Sequence, residues 1–332
     1  MQELSPAAII ADHPERDLII AVVIPAYKVS QTILSVIGEV GAEVTKIYVV
    51  DDGCPEQTGI VVQKNCLDPR VEVLFNRANA GVGGAMITGY AKALSDGAEI
   101  IVKVDGDGQH NPKFIPLLIK PIVQGRADYT KGNRFFTLDS VQSMPPIRIF
   151  GNAVLSFMAK LSTGYWDIFD PTNGYTAIHA KVLAELPLEK LSKRFFFETD
   201  MLFRLYTISA VVADVPMKAI YGDEPSNLRI SKVIPEFLFN HAINCCKRFF
   251  YCYLLRSFSV FSIEAILGST MVICGTTVGL YEWWRYASHN VAAPLGTIML
   301  AVLPTLIGIQ FILSFLNWDS RNAPNYPLNR RL

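Results

Sequence analysis

"IVKVDGDGQHNP", residues 101–112, is the passage on which the reading of the fold turns. An apolar, β-branched run closes at Val104; Asp105 and Asp107 follow, separated and trailed by Gly106 and Gly108. Only 18% of the chain is charged, so two acids one residue apart at the end of a buried strand need a reason. In an extended chain residues i and i+2 project to the same side, so both carboxylates can aim at one point while the glycines let the backbone curl around it. Two such acids without a partner repel, and one would keep its proton. A divalent cation removes the conflict. Carboxylate, amide and water oxygens suit Mg²⁺ or Mn²⁺, which complete their shell with substrate phosphates, and Gln109 can add a further oxygen. An acidic turn would use the same residue types, so the surrounding elements have to decide.

Upstream the same arrangement recurs. "LIIAVVI" (18–24) stops at Pro25, "KIYVV" (46–50) ends on Asp51-Asp52-Gly53, and "VEVLF" (71–75) runs into "NRANAGVGGAMITGYAKAL". "EIIVKV" (99–104) is the fourth such run. Between the first two, "SQTILSVIGEVG" predicts a helix with Ser30 as N-cap and Gly41 as stop. Nearly all-apolar strands alternating with helices predict a parallel sheet covered on both faces, with ligands beyond the carboxyl ends of its strands. Every unusual residue falls at those ends: Pro25, Ala26 and Tyr27, Asp51 and Asp52, Asn79 to Gly84, and Asp105 to Gln109. "NAGVGGA" (79–85) fits neither G-x-G-x-x-G nor G-x-x-x-x-G-K-[ST]. It predicts close backbone approach to a nucleotide at Gly81 and Gly84, with a polar contact from Asn79. Asp51 or Asp52 is placed to accept from a nucleobase imino N–H or from ribose. A dehydrogenase would carry its glycine loop after the first strand, where "IPAYK" stands instead. A Rossmann oxidoreductase is disfavoured.

Beyond residue 145 the alternation loosens. "FFFETDMLFRLYTI" is a helix entered through Glu198, Thr199 and Asp200, and "AVVADVPM" is a late strand. Residues 231–258 intersperse aromatics and aliphatics with Lys232, Lys247, Arg248 and Arg256, the pattern of amphipathic helices on a membrane surface. Residues 265–281 and 291–316 contain no charge, and a bilayer needs about 20 apolar residues, so a transmembrane hairpin is expected. Trp283, Trp284 and Trp318 supply interfacial aromatics. Lys247, Arg248 and Arg256 precede the hairpin and Arg321, Arg330 and Arg331 follow it, against Arg285 alone between the helices. That bias places the long N-terminal part and the tail in the cytoplasm. Gly268, Gly275 and Gly279 could pack against copies of the chain, giving a homo-oligomer. Thirty basic and thirty acidic residues give no net field for nucleic acid, and the six cysteines show no C-x-x-C spacing, which suits free thiols. The first residues, "MQELSPAAIIADHPERD", do not read as a signal peptide. The expected organisation is an N-terminal extension (1–17), a catalytic domain (18–230), interfacial helices (231–258), a hairpin (259–318) and a tail (319–332).

Taken in order, "VVIPAYK", "VVDDG", "NAGVGGA", "VDGDGQHNP", "KGNRF", "DPTNGYTAI" and "FFFETDMLFRL" resemble the family 2 glycosyltransferases of GT-A fold. The branch resembled is that of dolichyl-phosphate mannose synthase and the polyprenyl-phosphate glycosyltransferases with two C-terminal membrane helices. The resemblance implies an α/β fold: a Rossmann-like, mostly parallel sheet flanked by helices. It implies donor contacts at Pro25, Ala26, Tyr27 and Asp51, and a cation held by Asp105, Asp107 and Gln109 against the donor diphosphate, with Gly106 beside it. It implies phosphate handling by Arg134, Arg148, Arg229 and Lys232, and Asp170 and Asp200 on the acceptor side. "GDEPSNLRISK" departs from the family's shorter glycine-serine-lysine segment. The implied reaction is inverting transfer of a hexose from a nucleotide-diphosphate sugar, UDP-linked rather than GDP-mannose, to polyprenyl phosphate. The alternative is extension of a lipid-linked glycan through a sugar hydroxyl; a processive synthase would carry Q-x-x-R-W, which is absent.

Overall fold

The computed structural model describes residues 18–135, 146–217 and 230–332, the side chains of 146–149 and 230–234 excepted. The chain divides into two compact units, residues up to Cys245 with Pro324–Leu332, and Cys246–Ala323. The first is built on a sheet of seven strands: β1 (Ile20–Ala26), β2 (Lys46–Asp51), β3 (Val71–Phe75), β4 (Ile100–Lys103), β5 (Tyr129–Asn133), β6 (Thr176–His179) and β7 (Val212–Pro216). Their order is β3-β2-β1-β4-β6-β5-β7. The four strands read from sequence are parallel and adjacent. Burial of the β1 residues Ala21 to Ile24 is complete, as expected of strands covered on both faces.

Beyond β4 the pattern changes. β6 runs antiparallel to both β4 and β5, while β5 and β7 are parallel, so the sheet is mixed. β6 has only 4 residues, too few to leave a hydrophobic signature of its own. The helices are α1 (Ile33–Gly38), α2 (Thr58–Asn65), α3 (Val82–Ser95), α4 (Ile115–Val123), α5 (Pro146–Thr163), α6 (Ala180–Ala184), α7 (Phe197–Thr207) and α8 (Ile230–Arg248). α3 lies close on β1 because Gly89 has no side chain: a Cβ there would stand 2.3 Å from Val23 Cγ1. α1 departs from the sequence expectation. It starts after Thr32 and ends at Gly38, and the Ser30 hydroxyl donates to Glu56 at 2.8 Å instead of capping it.

β1 has β2 on one side and β4 on the other, so the direction of winding reverses between β1 and β4. In open α/β sheets that reversal leaves a crevice at the carboxyl ends of the two strands. Tyr27 and Asp105 sit there. At the opposite end, Asp128 precedes β5 and is fully buried. Its carboxylate accepts from Val211 N, Leu328 N and Asn329 N, each at 2.7 Å, which fastens the last residues of the chain to the sheet.

The second unit is dominated by two helices, α9 (Val260–Ser288) and α10 (Leu295–Arg321), of mean hydropathy 1.6 and 2.2 over their most apolar windows. Both are long and apolar enough to cross a bilayer. Gly268, Gly275 and Gly279 do not face outward, as a role in self-association requires. A Cβ on Gly268 would stand 2.8 Å from Gly308 O, one on Gly275 2.8 Å from Ala301 O, and one on Gly279 3.2 Å from Ala301 Cβ. The small residues let the two backbones of one hairpin approach, which removes the ground for the expected oligomer contact. Below the hairpin a π-helical segment (Phe249–Arg256) presents Tyr253 to Asp319. Arg248 closes this knot through a bidentate pair with Asp319, both bonds at 2.9 Å.

Replacing Asp128 by Ala leaves three backbone N–H groups without their acceptor. The expected loss is about 2–5 kcal/mol of unfolding free energy, measured by denaturant titration, with Asp128→Asn intermediate.

Candidate active site

Three strand ends meet at the crevice, and most of their polar groups are already committed within the chain. Asp51, at the end of β2, accepts from Cys54 N and Gly59 N, both at 2.7 Å, and so anchors the start of α2. Asp52 accepts from Asn76 Nδ2 at 2.8 Å, Ala80 N at 3.0 Å and Gly81 N at 2.8 Å. Both carboxylates are buried. They shape the wall of the crevice by fixing the loops that follow β2 and β3.

The glycine loop also differs from expectation. Gly83 N and Gly84 N, at the start of α3, donate to Lys193 O at 2.9 and 3.2 Å. A Cβ on Gly81 would stand 2.4 Å from Lys193 O, and one on Gly83 2.2 Å from Ser192 O. The close approach that these glycines permit is made by the chain's own segment 192–193, and Asn79 Oδ1 accepts from Gly81 N at 3.1 Å. The amides of Gly81 and Gly84 are thereby occupied. Pro25 and Ala26 end β1, Ala26 is buried, and Tyr27 beyond them is exposed.

The Asp-x-Asp loop is held from below. Lys103, the last residue of β4, is 1% exposed. Its Nζ lies 2.8 Å from Asp105 Oδ1, 3.2 Å from Glu198 Oε1 at the start of α7, and 3.2 Å from Gly174 O. Burial opposes the charge on Asp105, but the Lys103 ammonium outweighs it and holds the carboxyl down to about 2. Asp105 N donates to His110 Nδ1 at 3.1 Å, and the His110 ring stacks on Tyr175 at 4.8 Å. Burial, with the Lys103, Arg134 and Lys131 charges, pushes His110 down to about 4 against the pull of Asp105. At neutral pH the ring is therefore neutral, with its proton on Nε2. Gly106 is needed for space: its carbonyl accepts from Thr32 Oγ1 at 2.7 Å, and a Cβ would stand 3.0 Å from Val29. Gly108 is needed for conformation, with φ of +82°. Asp107 Oδ1 accepts from Gln109 N at 3.0 Å, which closes the turn.

A second buried lysine lies in register with the first. Across the sheet, Lys103 pairs with Thr176, Thr176 with Lys131, and Lys131 with Asp214, so the four share one face. Lys131 Nζ donates to Asn173 O, and burial brings it down to about 8. The two lysines thus grip the carbonyls of "NG" in the 170–174 segment. Asp170 is fully buried and forms a bidentate pair with Arg134, at 2.7 and 3.0 Å. Asp200 accepts from Ser192 N at 2.9 Å, Arg204 Nε at 3.0 Å and Asn244 Nδ2 at 3.4 Å. Rather than presenting oxygens to open acceptor space, Asp170 orients Arg134 and Asp200 fixes the 192–204 segment. Arg229 and the side chains of Arg148 and Lys232 lie outside the described residues.

The donor set fits a hard divalent cation in part. Asp105 is ionised and partly exposed, and Asp107 adds carboxylate oxygen beside it in sequence. Among the described residues no group of three or more His, Cys, Asp or Glu forms a complete cage. Oxygen ligands that are few in number suit Mg²⁺ or Mn²⁺ completed by water and a diphosphate.

Residues 21–186 match the glycosyl transferase family 2 domain, half of the chain and the whole of the strand-end constellation. The chain is a family 2 glycosyltransferase. Over 221 residues the enzyme is 31% identical to a UDP-N-acetylglucosamine–dolichyl-phosphate N-acetylglucosaminyltransferase of Methanococcus voltae, covering 62% of this chain and 88% of the relative. It is 29% identical over 222 residues to an undecaprenyl-phosphate mannosyltransferase of Micrococcus luteus, covering 66% and 90%. Among solved structures, glucosyl-3-phosphoglycerate synthase of Mycobacterium tuberculosis superposes with a TM-score of 0.55 at 19% identity, over 75% of this chain and 85% of that one. That likeness establishes the GT-A architecture of the glycosyltransferase.

Sequence reasoning missed Lys103, Lys131 and His110 as parts of the site. The signal was available for Lys103: a lysine inside a strand that must be buried on both faces has to be paired. Asp214 gives a test of the buried row. Burial raises its pKa from 3.8 to about 6, so the fold favours the protonated acid, and that contribution is lost as pH rises through 6. Asp214→Asn keeps an oxygen for Phe169 N and Asn133 Nδ2. It is expected to raise Tm relative to the parent at about pH 8 but not at about pH 3, below the unfolded value of 3.8, in a thermal-unfolding series. Equal shifts at both pH values would refute the ionisation account.

Proposed function

We propose that this glycosyltransferase moves a hexose, with inversion, from a nucleotide-diphosphate sugar to polyprenyl phosphate of the undecaprenyl or dolichyl kind. UDP-sugars are preferred to GDP-mannose, and the reaction occurs at the cytoplasmic face of the membrane that the α9–α10 hairpin spans. The observation that carries this reading is one chain combining a strand-end Asp-x-Asp loop, a guanidinium fixed by a buried acid, and two bilayer-length apolar helices. The names of the two relatives support it: both transfer sugars to lipid phosphates, one from a UDP-sugar.

Pro25, Ala26 and Tyr27 border the nucleotide, and Asp51, Asp52 and the 79–84 loop form the wall against which it lies. Asp105 and Asp107, with Gln109, would hold Mg²⁺ or Mn²⁺. Bound there, the ion supplies Lewis-acid stabilisation of the charge on the departing nucleoside diphosphate. Gly106 keeps the loop close enough to the strand end for this. Arg134, oriented by Asp170, attracts the acceptor phosphate, together with Arg148, Arg229 and Lys232.

The chemistry of the acceptor explains why no side chain has to remove a proton. A phosphate monoester has a second pKa of about 6 and is already an anionic nucleophile at neutral pH. A sugar hydroxyl would need a general base. Asp170 and Asp200 are both buried and bonded to arginines, which suits the first acceptor and not the second.

The decisive assay supplies labelled UDP-glucose, UDP-N-acetylglucosamine and GDP-mannose, with polyprenyl phosphate, to the full chain in detergent. Label is expected in a chloroform-extractable lipid and is lost with EDTA. Label found only in water-soluble glycan would reject the lipid acceptor. Asp107→Ala should lower turnover by about 100-fold or more, and full activity in that variant would reject the cation assignment.

A further inference from the structure

We propose that Lys103 is a positioning residue that couples cation binding to donor binding. Its ammonium stays on Asp105 and shares that carboxylate with any bound ion, so a divalent ion binds firmly with the diphosphate and weakly alone. This rests on the reading of Asp105 and Asp107 as the cation's carboxylates.

The geometry leaves Lys103 no alternative position. The side chain is 1% exposed, and its Nζ is held by Asp105 Oδ1 at 2.8 Å, Glu198 Oε1 at 3.2 Å and Gly174 O at 3.2 Å. A Cβ on Gly174 would stand 2.4 Å from that Nζ and 2.6 Å from Asp105 Oδ2, so the pair fills its pocket. An ion on Asp105 therefore shares the carboxylate with a fixed like charge a few ångströms away. Because Lys103 itself is buried, water screens that repulsion only in part.

The neighbouring charges do not compensate. Asp105, Asp107 and Glu198 are set against Lys103 and Lys131, with Asp214 beside Lys131 on the same face, while Arg134 and Asp170 pair with each other. The His110 Nδ1 lone pair is taken by Asp105 N. A loop with two carboxylates, one of them paired with Lys103, and no cluster of three ligating acids among the described residues make a poor site for a free doubly charged ion. Two ionised phosphates reverse the balance. Glu198 lessens the hold on the loop, because its carboxylate offsets part of the ammonium's charge.

Mn²⁺ titrated into the full chain in detergent, with free ion read by electron paramagnetic resonance, tests the coupling without turnover. Titrations are run alone and with saturating UDP or, in parallel, GDP. The parent is expected to bind Mn²⁺ about tenfold or more tighter with nucleotide, and Mn²⁺ to tighten nucleotide by the same factor. Lys103→Met is expected to bind Mn²⁺ alone about tenfold tighter than the parent, so that nucleotide adds little. Glu198→Gln is expected to move the other way, weakening Mn²⁺ alone, which damage to the fold common to both variants would not produce. Parent that binds Mn²⁺ with nucleotide, beside Lys103→Met with unchanged affinity for Mn²⁺ alone, overturns the coupling while sparing the cation site. Parent that binds no Mn²⁺ with either nucleotide, or Asp107→Asn that binds it normally, overturns the cation site itself. Should Lys103→Met fail to fold, unchanged or tighter Mn²⁺ binding by Glu198→Gln overturns the coupling.

Discussion

A charged ammonium enclosed at the end of β4 is the constraint on which the site depends. Lys103 cannot be hydrated where it lies, so it must be surrounded by acceptors, and those acceptors come from three separate parts of the chain. Asp105 belongs to the loop after β4, Gly174 to the turn before β6, and Glu198 to the first turn of α7. Removing one partner from a buried ion pair strands the other, which commonly costs about 3–5 kcal/mol. The lysine therefore holds the loop, the turn and the helix in one arrangement. Lys131 repeats the device one strand further along through Asn173 O. Together they explain how a turn as short as "DPTNG" is kept against the sheet.

That scaffolding changes the meaning of the acids. Six carboxylates at or near the crevice looked equivalent as sequence, yet their surroundings divide them. Asp51 and Asp52 are consumed by backbone amides, Asp170 and Asp200 by arginines, and Asp105 and Asp107 stand on a loop that retains solvent access. Only the last two combine exposure with negative charge. A site of this kind is short of bases and rich in fixed cations, and the chemistry it favours is displacement by a nucleophile that arrives already ionised.

How much of this was legible beforehand follows from the kind of signal each feature leaves. The β1–β4 half of the sheet was readable because strands buried on both faces must be apolar throughout, and turns after them must be polar. β5 and β6 were not, since "YTKGN" and "TAIH" are short and carry polar residues, and the partner that lets Lys131 be buried, Asn173 O, is distant in sequence. The glycine loop is a place of close backbone approach, and the chain itself makes that approach. The segment at Lys193 that fills it has no local mark in the sequence. In the hairpin, composition marked two stretches long and apolar enough to cross a bilayer, whereas the faces of Gly268 and Gly275 depended on how the helices lean together.

The apolar unit obeys the same rule as the sheet, with an acid in place of the lysine. Asp319 lies in the last turns of α10 and is fully buried, and it is tolerable there because Arg248 meets both its oxygens and Tyr253 donates a third bond. This bears on the charge bias along the chain, since Arg248 is one of the basic residues that flank the hairpin. Setting aside Arg248, and likewise Arg285, which pairs with Glu282 at 3.2 Å, removes one cation from the flanks and one from the end of α9. Lys247, Arg256, Arg321, Arg330 and Arg331 remain on the flanks in either count. The excess of basic residues there is therefore insensitive to the pairing.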